Sequence, residues 1–224
     1  SYICETWRRI RSVLTNSIIH YIIQINGTGT ISKYDKYQKG DLRMYTGNYE
    51  CLELFVKPDE GKKGSVLLKN VKESTTETKE PKHIYGNWIK FPVSRNTEYE
   101  ISTQDCTITF AYLSECENIM ENGICVLDTT DNYKEMNKEE FLHFIDTPYR
   151  EQYHFSPVVN WNNDPNGLCW FKGYYHLFYQ MNPFGQEWNN MYWGHAASKD
   201  LVHWTHLPVV LEPQEEILDN LAIK

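Results

Sequence analysis

The chain has 224 residues, with 22 Lys and Arg against 30 Asp and Glu, a formal net charge of −8 and 41% hydrophobic residues. That length holds one or two domains with cores of their own, and the acidic balance, without a dense run of Lys or Arg to follow a phosphate backbone, argues against nucleic acid as a partner. No stretch has the length and apolarity of a membrane span, no phosphate loop or dinucleotide fingerprint calls for a cofactor, and six cysteines without a Cys-x-x-Cys pair are expected as free thiols.

In chain order, Arg8, Arg9 and Arg11 precede a mildly apolar run to Ile25. His20, Tyr21 and Gln24 interrupt it and no small-residue cleavage site follows, so it reads as structure rather than as a leader, and the protein as cytoplasmic rather than secreted. Asn26-Gly27-Thr28 fits an N-glycosylation triplet that a cytosolic chain would not use. The β-branched residues over 18–25 predict a strand, and the glycines after Asn26 a turn. Residues 41–56 continue as β structure broken by Thr46-Gly47-Asn48, and 65–68 form a short strand after a charged turn. Lys72 to Lys82 lacks apolar periodicity and predicts a mobile surface loop. Strand character returns over 84–93 and 99–113, where Cys106, Ile108, Phe110 and Tyr112 alternate with Thr107, Thr109 and Ala111.

Short strands at this spacing predict an all-β protein whose residues 1–131 form a β-sandwich-like domain that folds on its own. Tyr85 and Trp88 are the aromatics that would serve it if it bound carbohydrate. Helix formers from Asn132 to Phe144, ended by Pro148, make 132–148 a helical linker. Beyond it, from 149 to 224, strands are expected over 168–171, 174–180, 192–197 and 205–211, with Lys172-Gly173 as one turn. The polar stretch Trp161-Asn162-Asn163-Asp164-Pro165-Asn166-Gly167 reads as another turn, with Asp164 held at a strand edge. His203 and His206 stand three apart on what reads as a strand, which puts them on opposite faces and leaves no metal site.

Tyr153-His154-Phe155-Ser156-Pro157, Trp161 to Gly167, the run His176 to Pro183 and the run Trp193 to Trp204 follow one another in an order and spacing that resemble the start of the catalytic domain of glycoside hydrolase family thirty-two, the invertase, levanase and inulinase group. The resemblance covers Tyr149 to Glu212; Asn162 departs from it, standing where the family carries methionine. It implies that 149–224 begin a five-bladed β-propeller, truncated after its first blade. It also implies Asp164 as the nucleophile of a retaining β-fructofuranosidase acting on sucrose or a fructan, with Asn163, Gln180 and Trp188 as substrate-binding residues. The family's acid/base glutamate lies in a Glu-Cys motif and its stabilising aspartate in an Arg-Asp-Pro motif, and neither motif follows Asp164 here. Glu187, Glu212, Glu215 and Glu216 read as solvated, so residues 1–224 are expected to be an inactive fragment. The competing expectation is a non-catalytic carbohydrate-binding protein that keeps the sandwich and one degenerate blade.

Overall fold

The computed structural model describes residues 42–213, apart from 130–132, 137, 147, 149 and 152. The strand expected over 18–25, the turn after it, the N-terminal arginines, the Asn26 triplet, Glu215 and Glu216 lie outside the described residues. The described residues belong to one compact unit and are all-β: three sheets and two short helices.

The first sheet orders β1 (Leu42–Tyr45), β6 (Glu98–Gln104), β3 (Ser65–Asn70) and β4 (Thr76–Lys79). The second orders β5 (Asn87–Pro92), β2 (Cys51–Pro58), β7 (Cys106–Ser114), β8 (Cys125–Asp128) and β9 (Lys134–Glu135). All pairings in both sheets are antiparallel. Period-2 alternation turns Met44, Val66, Leu68 and Ile101 of the first sheet towards Leu52, Leu54, Val56 and Ile89 of the second, and these residues form one buried apolar layer.

Two expectations change here. Residues 76–79 are not a loop but the edge strand β4, paired with β3 through Lys69↔Thr76 to Val66↔Lys79. Apolar periodicity is missing because both faces of this strand lie near solvent, and charged side chains at such an edge discourage pairing with another chain. The helix α2 (Lys138–Ile145) also starts later than Asn132, because β8 recruits Lys134 and Glu135 into β9 first. A single turn of helix, α1 (Ile119–Asn122), precedes β8.

The third sheet is an antiparallel meander of β10 (Trp161–Phe171), β11 (Tyr174–Asn182), β12 (Tyr192–Ser198) and β13 (Trp204–Leu211). Lys172 and Gly173, both at positive φ, make the two-residue turn between β10 and β11. The face of the meander carrying Leu177, Tyr179, Met181, Tyr192 and Ala196 buries against Phe55, Phe110, Tyr112 and Val126 of the second sheet. Gly194 sits in this layer because Tyr179 covers it: a Cβ there would lie 2.4 Å from the tyrosine ring.

The second sheet is therefore apolar on both sides, which is why Leu52-Glu53-Leu54-Phe55-Val56 reads as a nearly continuous hydrophobic run. The autonomous sandwich expected from the sequence would leave one of those sides bare. A chain of residues 1–146 is predicted to melt at a lower temperature than residues 1–224 and to bind a hydrophobic dye in its folded state, through Phe55, Phe110 and Tyr112. A sharp melt at an unchanged temperature without dye binding would show that the two N-terminal sheets close without the meander.

Candidate functional site

The site stretch is part of a strand, not a turn. β10 runs from Trp161, pairing Trp161↔Asn182, Asn162↔Met181, Pro165↔Tyr179 and Gly167↔Phe178. From Asn162 to Pro165 the strand advances three residues against two on β11, and from Pro165 to Gly167 two against one, so each step inserts one extra residue. The turn formers Asp164-Pro165-Asn166-Gly167 are used to build two successive bulges. Proline is tolerated because β10 is the edge of its sheet, where a missing N–H leaves no ladder bond unmade. The bulges break strict alternation and bring the polar side chains of this stretch together at the sheet margin.

Of the residues expected at the site, Asn163 and Gln180 meet directly: Asn163 Nδ2 donates to Gln180 Oε1 at 2.7 Å. Gln180 Nε2 in turn donates to Asn166 Oδ1 at 3.4 Å. Asp164 is exposed at the bulge next to this amide row. Trp188 stands on the loop after β11 with its side chain 59% exposed. Asn166 was not singled out from the sequence, where it served only as a turn former; it closes the amide row, and its buried Nδ2 has no hydrogen-bond partner. Asn182 was also missed. It is buried, accepts from Phe184 N at 3.0 Å and donates to Glu187 O at 2.9 Å, shaping the loop that carries Trp188.

The face of the meander that carries Gln180, opposite the one buried against the second sheet, also carries a histidine pair that sequence reading passed over. His176 Nδ1 lies 3.0 Å from His195 Nε2, and His176 Nε2 lies 3.3 Å from the Phe171 carbonyl. A carbonyl accepts only from an N–H, so Nε2 of His176 carries its proton and Nδ1 accepts from His195. Phe178 stacks on the His195 ring at 4.4 Å. Burial, and then His176, push His195 down to about 4. His203 and His206 do not share a site: His203 precedes β13 and bonds Asp200 through Nδ1 at 2.7 Å, whereas His206 packs beside Phe155 within the meander. Burial, and then Arg150, push His206 down to about 4. Among the described residues no group of three or more His, Cys, Asp or Glu is arranged to hold a metal ion, and the described cysteines, 51, 106, 116, 125 and 169, are free thiols.

Fold and site together define an all-β protein that presents a carboxylate beside a row of amides from the bulged edge of a meander. Residues 154–222 match the family model described as the N-terminal domain of glycosyl hydrolases family 32. The levanase of Bacillus subtilis (strain 168) is 59% identical over 73 residues, covering 33% of this chain and 11% of the relative. The extracellular exo-inulinase of Aspergillus niger is 64% identical over 66 residues, covering 30% of this chain and 12% of the relative. A family 32 glycoside hydrolase structure from Bifidobacterium adolescentis superposes with a TM-score of 0.68 at 33% identity, covering 79% of this chain and 28% of that one. Residues 154–222 are thus similar to the N-terminal domain of glycosyl hydrolases family 32, and the chain spans about a tenth of the length of the curated relatives it matches.

The neutral histidines set a pH dependence. A histidine with an ordinary value of 6.5 and a folded value of about 4 takes up its proton in the unfolded chain first, so stability present above pH 6.5 is lost as pH falls towards 4. Glu53 opposes them in part, because burial raises its carboxyl and its contribution declines as pH rises. Replacing His195 and His206 by Gln is predicted to shrink the drop in Tm between about pH 6.5 and pH 4.5 relative to wild type. Equal drops in thermal melts of the two proteins would show that these histidines are not held neutral by the fold.

Proposed function

We propose that this chain is the N-terminal part of a retaining β-fructofuranosidase, with Asp164 as nucleophile, and that the meander is the first blade of a five-bladed propeller behind the two N-terminal sheets. The observation that carries the reading is Asp164 exposed in a double bulge next to the bonded Asn163 and Gln180 amides. It lies within a stretch that is 59% identical to a levanase and 64% identical to an exo-inulinase.

Cleavage of a fructoside passes through an oxocarbenium-like transition state. A carboxylate that meets the anomeric carbon from the free side can form a covalent fructosyl-enzyme, and water then releases fructose with retained configuration. An exposed bulge suits that role, because the sugar must approach the carboxylate without a strand in its way. Asn163 and Gln180 spend one donor and one acceptor on each other and keep further amide groups for sugar hydroxyls. Trp188 offers a flat apolar face against which the C–H groups of a sugar ring can stack. The second carboxyl, which protonates the departing oxygen, comes on this reading from chain beyond residue 224.

In the protein that carries this chain, Asp164→Asn is predicted to lower kcat on sucrose or a fructan by about 10³-fold or more while leaving sugar binding in place, because the amide keeps the shape but cannot attack. Kinetics with a titration of bound sugar check this, and NMR of the first fructose released should show the β anomer. Near-normal turnover in the variant, or initial release of the α anomer, would rule out the assignment.

A further inference from the structure

The loop between β11 and β12 is held from two sides. On the side of the site strand, Trp161 N–H donates to Gly185 O at 3.2 Å and Asn160 Nδ2 to Pro183 O at 2.9 Å. On the side of the second sheet, Thr109 Oγ1 shares its proton between Phe55 O at 3.1 Å and the same Pro183 O at 3.2 Å, and the Phe184 ring packs edge-on against Phe55 at 5.9 Å. The segment leading into β5 joins this clamp. Asn190 Nδ2 donates to Tyr85 O at 3.3 Å, and Gly86, at φ 144, lies so close to Phe184 that a Cβ would stand 2.6 Å from the ring. That segment is itself tightly built: Asn87 Oδ1 accepts from Lys82 N at 2.6 Å and His83 N at 3.0 Å, and Asn87 Nδ2 donates to His83 O at 2.6 Å.

The clamp presents two apolar side chains to solvent, Ile84 at 67% and Tyr85 at 45% exposure, beside the loop that carries Trp188. Apolar groups that are held in order yet left uncovered, next to a sugar site, suit the C–H faces of further sugar units, which need a flat apolar platform and little else. We propose that Tyr85, with Ile84, is a distal platform for a β-fructan chain whose terminal unit sits at Asp164, so that the N-terminal sheets favour oligomeric fructan over sucrose. This rests on the fructosidase reading and adds to it a residue outside the family-matched segment.

The test uses the protein that carries this chain, with sucrose and an inulin-type oligosaccharide of about eight units as substrates, and Tyr85→Ser, Tyr85→Phe and Asp164→Asn as variants. Only the side chain of Tyr85 is altered, and its carbonyl bond to Asn190 remains. Tyr85→Ser should raise KM for the oligosaccharide about five- to tenfold and leave KM for sucrose and both kcat values unchanged, and Tyr85→Phe should restore the preference. Equal effects on both substrates, or none, overturn the platform, while loss of turnover in Asp164→Asn keeps the fructosidase reading. If wild type turns over neither substrate, the fructosidase reading fails. Oligosaccharide binding, followed by tryptophan fluorescence, then decides the platform: dependence on Tyr85 upholds it and independence overturns it.

Discussion

The aromatic packing around Phe55 is the interaction on which the rest of the structure depends. This ring, fully buried, lies within 6.2 Å of Trp88, Phe110, Tyr112, Phe184 and Tyr192, so it touches its own sheet, the meander and the loop beyond β11 together. Its neighbours in sequence, Leu54 and Val56, face the other way into the layer shared with the first sheet. One strand thereby anchors two apolar layers. Removing a ring of that size from a closed layer typically costs about 3–5 kcal/mol, a large share of a domain's net stability.

The same layer holds a polar relay. Glu53, next to Phe55, is only 3% exposed, and its Oε2 accepts from Trp88 Nε1 at 2.7 Å and Tyr112 OH at 2.8 Å. Tyr112 OH accepts in turn from Val209 N at 3.1 Å, which ties the last strand of the meander to the second sheet. Lys90 stands 3.8 Å from Glu53 and lies over the Trp88 ring at 3.5 Å. Burial raises the Glu53 carboxyl, and the donors gathered on it favour the charged form. Such a network adds little to net stability against an apolar replacement, and it fixes β13 to Tyr112 through a directional bond that an apolar layer would not supply.

Where the packed layers end, the candidate site begins. β10 is the margin of the meander, and a margin can carry proline, two bulges and an exposed aspartate without breaking a ladder on both sides. The next strand supplies Gln180 opposite the first bulge of that margin, and the loop after it brings Trp188. The packed interior holds these elements in place, because Pro183 O accepts from Asn160 on one side and Thr109 on the other. A site built on an edge strand and a clamped loop stays open to a ligand while its backbone remains positioned.

Much of this was legible in the chain alone, and for local reasons. Alternation over 106–113 and the Lys172-Gly173 turn mark strands through side-chain direction and backbone tolerance, which need no partner to be read. The run from Tyr153 to Trp204 carried the resemblance to glycoside hydrolase family 32, because several separate motifs stand there in one order and spacing. What the chain alone could not show was what each face meets. Asp-Pro-Asn-Gly has the composition of a turn, and only pairing with β11 converts it into a double bulge. Thr76 to Lys79 has no apolar face, and only the free edge of β3 makes it a strand. The burial of Phe55 beneath the meander, the His176–His195 pair and the placing of Tyr85 beside the Trp188 loop join residues far apart in sequence. Local propensity describes one segment at a time, whereas these contacts exist only once separate segments share a layer and exclude water between them.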